Sequence, residues 1–238
     1  MKTLKLLLIG IIGIVLALNA FLLPFQALAF STSYYVENFT ELEVHKSIGI
    51  SLDSLSRVTD ALVQYIDNGS GDLLLTEDVR GENVVFYNEK ERIHLDDIRL
   101  LVIAARKFIL IMNAIMIMAI AIILRIEKND KSKIGKSIIA MFKASFIATI
   151  LALGFLIALY FIDFNWAFTK FHEIFFTNDL WLLNPNTDRL IQLMPLEFFI
   201  GFVATWLGRV AIIMGIYVLI GFVLPQIYKI RKQKSIQS

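Results

Sequence analysis

Two histidines, each set just outside a long apolar run, are the side chains best suited to chemistry here. His94 stands in Glu91-Arg92-Ile93-His94-Leu95-Asp96-Asp97-Ile98-Arg99, ahead of one run. His172 stands in Phe171-His172-Glu173-Ile174-Phe175-Phe176, just after another. The chain has only three histidines, so two at matching positions beside apolar runs point to a common site. Imidazole is the side chain that takes up and releases protons near neutral pH. A pair of them at a lipid surface suits acyl chemistry, where one group acts as base and another as acid.

The neighbours of the pair narrow the chemistry. His94 and Asp97 are spaced i, i+3 and share a face if the segment is helical. A carboxylate beside a histidine sets its tautomer and raises its basicity. Asp96 points elsewhere, and His45 has no comparable setting and reads as structural. Two histidines and a carboxylate would suffice for zinc in principle. However, the chain has no His-Glu-x-x-His motif and no ligand pair on one turn, so metal-free chemistry is the stronger reading. Gly135-Lys136-Ser137 echoes the end of a phosphate-binding loop, but Asp130 stands where its first glycine is required. No Gly-x-Ser-x-Gly elbow is present. Cysteine is absent, which removes disulfides, thiolate ligands and a cysteine nucleophile. We therefore expect no cofactor, no nucleotide and no nucleic-acid partner.

The elements that must carry these residues are membrane helices. The chain is 57% hydrophobic with a mean hydropathy of +0.68. Four runs, residues 6–23, 108–126, 144–162 and 199–223, reach the roughly 20 apolar residues that span a bilayer core. The expected fold class is a mainly α membrane protein: four transmembrane helices with a small mixed α/β extracytoplasmic domain between spans 1 and 2. In segments, 1–29 is an uncleaved first span and 30–98 the extracytoplasmic domain. Residues 99–126 form the second span, 127–143 a basic cytoplasmic loop and 144–164 the third span. Residues 165–197 form an aromatic extracytoplasmic loop, 198–224 the fourth span and 225–238 a basic cytoplasmic tail. Basic residues set this orientation. Lys2 and Lys5, then Arg125, Lys128, Lys131, Lys133 and Lys136, then Lys229, Arg231, Lys232 and Lys234 all fall on one side. Residues 30–98 hold fourteen Asp and Glu against five Lys and Arg. Both termini are thus expected in the cytoplasm and the histidine site outside, in a multi-pass cell-membrane protein. The alternative for the start is a cleavable signal peptide ending near Ala27-Leu28-Ala29, but the apolar run exceeds the usual 7–15 residues.

Local patterns fill in the rest. Ser51 is placed to cap a helix whose apolar stripe is Leu52, Leu55, Val58, Leu62, Tyr65 and Ile66, with Asn68-Gly69 ending it. Residues 83–87 read as a short strand. Phe161, Phe164, Phe168, Phe171 and Phe175 recur at spacings of three and four, which extends the third span beyond the membrane with its rings on one face. A stripe of this kind is more often packing than function, and here it also suits the headgroup zone beside Trp166. If helical, His172 stands about 15 Å beyond the core, with His94 at a similar height. Arg106 and Lys107 then fall near the outer boundary, either as headgroup anchors or as lipid-binding groups. Arg209, inside the fourth span, needs a partner, and Asp163 is within reach of it.

The combined pattern resembles a known family. Tyr65-Ile66, then Phe86…Glu91-x-x-His94-x-x-Asp97-Ile98-Arg99, resembles the first half of the bacterial lipoprotein intramolecular transacylases. Phe171-His172-x-x-Phe175-Phe176…Trp181…Asp188-x-Leu190-Ile191…Pro195…Phe198-Phe199 resembles the second half. The resemblance runs from the first span to the fourth. It implies an enzyme of the Gram-positive cell membrane that moves the sn-2 acyl chain of a diacylglyceryl-modified lipoprotein to its N-terminal cysteine amine, giving the lyso form. It further implies His94 and His172 as the catalytic pair, and lipoproteins and membrane lipids as partners. Asp97 is placed to support the pair by orienting His94, and Arg99 by polarising an ester carbonyl or securing the lipid. Arg106, Trp181 and Arg209 are the candidates for holding substrate. The competing reading is a non-enzymatic membrane sensor or assembly partner that binds through residues 30–98.

Overall fold

The structure is a computed structural model. It describes residues 2–162 and 164–237, without the side chains of 159–162, 164–165, 167, 231–232 and 234–237. In chain order the elements are α1 (Lys2–Ala29), α2 (Thr32–Glu41), α3 (Val44–Ile48), α4 (Leu52–Asn68), β1 (Thr76–Val79), β2 (Glu82–Val85), α5 (Glu89–Glu127), α6 (Lys131–Ile162), α7 (Phe164–Phe175), α8 (Arg189–Leu193) and α9 (Leu196–Val218). A single π turn, Leu219–Val223, joins α9 to α10 (Leu224–Gln237). Among the described residues, four helices are long and apolar enough to cross a membrane: α1, α5, α6, and α9 with its continuation. The chain divides into two compact units. One is Met1–Pro24, Lys107–Phe164 and Leu207–Ser238; the other is Phe25–Arg106 and Asn165–Trp206.

Apolar contact and a few buried polar bonds hold the first unit. Leu8, Ile9 and Ile12 of α1 pack with Ala119 and Ile123 of α5 and Met141 of α6. Gly13 admits α6 so closely that a Cβ there would lie 2.6 Å from that of Ala144. Polar groups in such surroundings need partners, and several buried ones have them. The Lys5 ammonium meets the buried Glu127 carboxylate at 2.6 Å, which also accepts from Ser137 Oγ at 2.6 Å. The Asn19 and Asn113 amides bond each other at 2.8 and 3.3 Å. Tyr217 donates to the Leu16 carbonyl at 2.8 Å.

The second unit is where the two histidines lie. α4 runs as its sequence pattern predicts. Ser51 Oγ accepts the Ser54 N–H at the start, and Gly69, at φ +82°, closes the end. Leu55, Val58 and Leu62 are its buried stripe, and the Tyr87 hydroxyl donates to the Val58 carbonyl at 2.9 Å. The predicted strand 83–87 is observed as β2, ending at Val85. It pairs antiparallel with β1 through a two-residue turn at Arg80-Gly81. Phe86 and Tyr87 leave the strand to enter the core. Both turn residues have positive φ, +57° and +90°, as a type I′ turn demands. Arginine is unusual there, and its side chain explains the choice: it donates to the Ser47 and Ile48 carbonyls at the end of α3. The core joins Leu28, Phe39, Leu55, Leu62, Phe86 and Leu95 to Leu190, Leu193, Phe198 and Phe202. The compact unit is therefore wider than residues 30–98, because part of the stretch expected as a loop, with the start of α9, supplies core side chains.

The start of α5 is held by a reciprocal cap. Asn88 Oδ1 accepts the Glu91 N–H at 2.9 Å, and Glu91 Oε2 accepts the Asn88 N–H at 2.7 Å, the capping-box arrangement. The other oxygen, Glu91 Oε1, accepts the Leu190 N–H at 2.5 Å from the far segment. Asp188 reinforces the junction by accepting from Asn88 Nδ2 at 3.0 Å and from the Asn184 N–H at 2.7 Å. Arg189 donates to the Val85 and Phe86 carbonyls at 3.0 and 2.7 Å. The Glu91 side chain is fully buried, so its removal strands two backbone donors. Each stranded donor costs about 1–3 kcal/mol. Glu91→Ala should therefore lower the thermal midpoint in detergent by several degrees, while Glu89→Ala, at an exposed position of the same turn, should stay within about 0.5 kcal/mol of the parent. Equal melting of the two variants would contradict this account of the junction.

Candidate functional site

His94 lies one helical turn beyond Glu91 on α5. The first turns of this helix carry Glu89, Lys90, Glu91, Arg92, Asp96, Asp97 and Arg99, too many charges for a hydrocarbon layer. The membrane-crossing part of α5 therefore begins after them. His172 lies in the last turn of α7. The two imidazoles face one another with ring centroids 6.3 Å apart and planes inclined at 35°. Phe176, just past α7, meets both rings, at 5.3 Å from His94 and 5.5 Å from His172. The expectation of two histidines sharing one locality describes this geometry.

The His172 ring is boxed by aromatic side chains. Trp181 stacks on it at 4.8 Å and 28°, Phe168 lies at 4.1 Å, and Phe171 meets it edge-on at 5.4 Å. Its Nδ1 is 2.7 Å from the Phe168 carbonyl oxygen. A carbonyl only accepts, so Nδ1 carries the proton, and in the neutral ring Nε2 keeps its lone pair. Burial lowers the basicity of His172, and the bond to the Phe168 carbonyl partly restores it.

His94 is 5% exposed, and its Nδ1 is buried without a hydrogen-bond partner. Burial pushes its pKa down to about 4; the neighbouring His172 and Lys90 push the same way, and Asp97 opposes them. Both rings are therefore neutral at pH 7, which suits a base paired with an N–H donor.

The other sequence candidates fall in three places. Asp97 accepts from Asn178 Nδ2 at 2.9 Å and makes no bond to His94 Nδ1, so its effect on that ring is through charge alone. Trp181 joins the site through its stack on His172. Arg99 and Arg106 are drawn to the end of α4. Arg106 binds the Asp67 side chain and, at 2.5 Å, its carbonyl, and lies over the Phe30 ring. Arg99 lies over the Tyr65 ring and against Gly69. Two cations at a helix C-terminus complement its dipole. Arg209 is exposed on α9 in the first unit, and its proposed partner Asp163 lies outside the described residues. Among the described residues, no three His, Cys, Asp or Glu side chains gather in a way that would hold a metal ion.

Apart from Asp97, the residues that fasten the site carry no role in the sequence analysis. The chain after α7 is tied to α5 by Asn178 to Asp97 and by Lys90 Nζ to the Leu182 carbonyl at 2.5 Å. These bonds place the segment bearing Trp181. Only the capping box had a readable signal, in the spacing Asn88-x-x-Glu91.

Three solved structures of the membrane-integral lipoprotein intramolecular transacylase Lit from Bacillus cereus share this fold. One has a TM-score of 0.71 at 21% identity and covers 100% of both chains. A second, with a histidine replaced by arginine, has a TM-score of 0.72 at 20% identity over 98% of this chain and 96% of that one. A third, with the histidine replaced by alanine, has a TM-score of 0.70 at 21% identity over 100% and 97%. At these identities the likeness is one of fold. No curated protein sequence matches the chain. The family model for lipoprotein intramolecular transacylase Lit matches residues 10–199, most of its length. The chain is a multi-pass membrane protein and belongs to the lipoprotein intramolecular transacylase family.

Proposed function

We propose that this protein moves the sn-2 acyl chain of a diacylglyceryl-modified lipoprotein to the amine of its lipidated N-terminal cysteine, giving the lyso form, on the extracytoplasmic side of the cell membrane. Family membership supports the reaction class. The observation that carries the residue assignment is the 6.3 Å approach of His94 and His172, two imidazoles able to serve one reacting carbon.

The reaction exchanges an ester for an amide. The substrate ammonium first releases a proton to solvent. The amine nitrogen then forms a bond to the ester carbon, and the carbonyl oxygen takes on negative charge. His172 Nε2 takes the proton that the nitrogen must shed, and the resulting imidazolium returns it to the glyceryl oxygen as the C–O bond breaks. His94 stays neutral and donates its N–H to the oxyanion. A low-pKa imidazole suits this electrophilic role because it stays uncharged throughout. Amine and ester belong to one molecule, so much of the rate comes from holding the lipid folded back on itself. The change is downhill from ester to amide and calls for no nucleotide. Trp181 and the Phe168 carbonyl hold the His172 ring so that its Nε2 points one way.

Two outcomes follow. His94→Ala and His172→Ala should each reduce lyso-lipoprotein formation by about 10²–10⁴-fold while the purified proteins melt near the parent temperature. Mass spectrometry of a reporter lipoprotein's N-terminal peptide reads this directly, and parental yields from both variants would eliminate the roles. In protein labelled with ¹⁵N-histidine, the His172 signals should report a proton on Nδ1 at pH 7. On acidification His172 should gain charge only below the ordinary histidine value of about 6.5, and His94 only near pH 4. A His172 ring protonated on Nε2, or already charged at pH 7, would remove it as the base.

A further inference from the structure

α7 turns three large apolar side chains outward: Phe171, Ile174 and Phe175 are 47%, 74% and 50% exposed. At about 100° per residue these three fall within an arc of roughly 100°. Glu173 lies across the helix from the arc, paired with Lys170 at 2.5 Å. His172 lies just past the arc's other edge, turned toward Trp181 and Phe176. α7 is therefore three-sided, with an apolar flank, a charged flank and a flank that belongs to the site. An uncovered row of large apolar side chains marks a surface that meets another apolar phase.

The chain itself indicates which phase. One residue separates α7 from α6, a helix apolar enough to cross a membrane. Near its end α6 exposes Leu151, Phe155, Leu156 and Ile157, as a helix inside lipid does. The apolar exposure continues past residue 163 but narrows to one flank, with charge on another. That change from all-round to one-sided apolarity is the mark of a helix passing from the hydrocarbon to its boundary.

We propose that α7 lies along the membrane surface, with Phe171, Ile174 and Phe175 inserted at the acyl boundary of the adjoining leaflet, rather than carrying His172 about 15 Å outward as a straight continuation of the third span would. The lipid leaflet, rather than a second copy of the chain, covers this face. Where the proposed transfer reaction holds, the consequence is a route: the diacylglyceryl group reaches His172 sideways from the leaflet, past the Phe171 and Phe175 rings.

The absence of cysteine from the chain permits single-site spin labels without background. Phe171→Cys, Ile174→Cys, Phe175→Cys, Lys170→Cys and Glu173→Cys are labelled in the full-length protein. They are reconstituted in vesicles of phosphatidylglycerol and phosphatidylethanolamine, then exposed to oxygen and to a water-soluble nickel complex. Labels at 171, 174 and 175 should collide several-fold more with oxygen than with nickel, and those at 170 and 173 the reverse. Nickel access at 174 equal to that at 173 would overturn the proposal. So would shielding of 174 from both reagents, which is what a covering protein surface produces. Ile174 is the most exposed of the three and its replacement disturbs packing least, so its label alone decides the matter. Acyl transfer is not read in this experiment, so its outcome is independent of the proposed reaction.

Discussion

One buried carboxylate determines where α5 begins. Glu91 closes a capping box with Asn88 through one oxygen and takes the Leu190 N–H through the other. The first bond sets the phase of α5, and with it the direction in which His94 points one turn later. The second fastens to that same turn a segment distant in sequence, the one that also feeds Leu190 and Leu193 into the core. A hydrogen bond to a charged group contributes about 1.5–3 kcal/mol, and a stranded buried partner costs a comparable amount. The junction is strong for its size because every group in it has a mate. Asn88, Asp188, Arg189 and Lys90 complete it with bonds to carbonyls, amides and each other.

The electrostatics of the histidine pair follow from this packing. Two imidazoles at 6.3 Å among aromatic rings cannot both be charged at modest cost. Burial settles the matter by keeping both neutral, and unequally. His94 is deep and pushed to about 4, whereas His172 is half-buried and retains more of its basicity through the Phe168 carbonyl. One ring is thereby suited to hold a proton in place and the other to pass one on. The asymmetry comes from depth and from a single backbone acceptor, without a carboxylate bonded to either ring.

Much of this was legible in the sequence, and the parts that were not share a cause. The helix from Leu52 to Asn68 was readable because cap, stripe and terminating glycine are all local signals. The four apolar runs and the two histidine motifs were readable for the same reason. The strand was overextended at 86–87, where Phe86 and Tyr87 look like strand residues but serve as core plugs. Asp97 shares a face with His94 by spacing, yet its partner is Asn178 from a distant segment. Arg99 and Arg106 are candidates for securing the lipid, and in the structure both side chains lie against the end of α4. These contacts join residues far apart in the chain, which periodicity and composition do not encode. The Asn88-x-x-Glu91 cap differs from these, because its signal is local to the sequence.

The most direct test of the central claim, that two imidazoles act as one unit on one reacting carbon, is a double-replacement cycle. The kcat/KM for lyso-lipoprotein formation is measured for His94→Ala, His172→Ala and the protein carrying both. Groups that work together on the same step lose most of their effect when either is gone. The account predicts that the double variant is about as slow as the worse single variant. Losses that multiply, with the double variant slower by the product of the two, would contradict it.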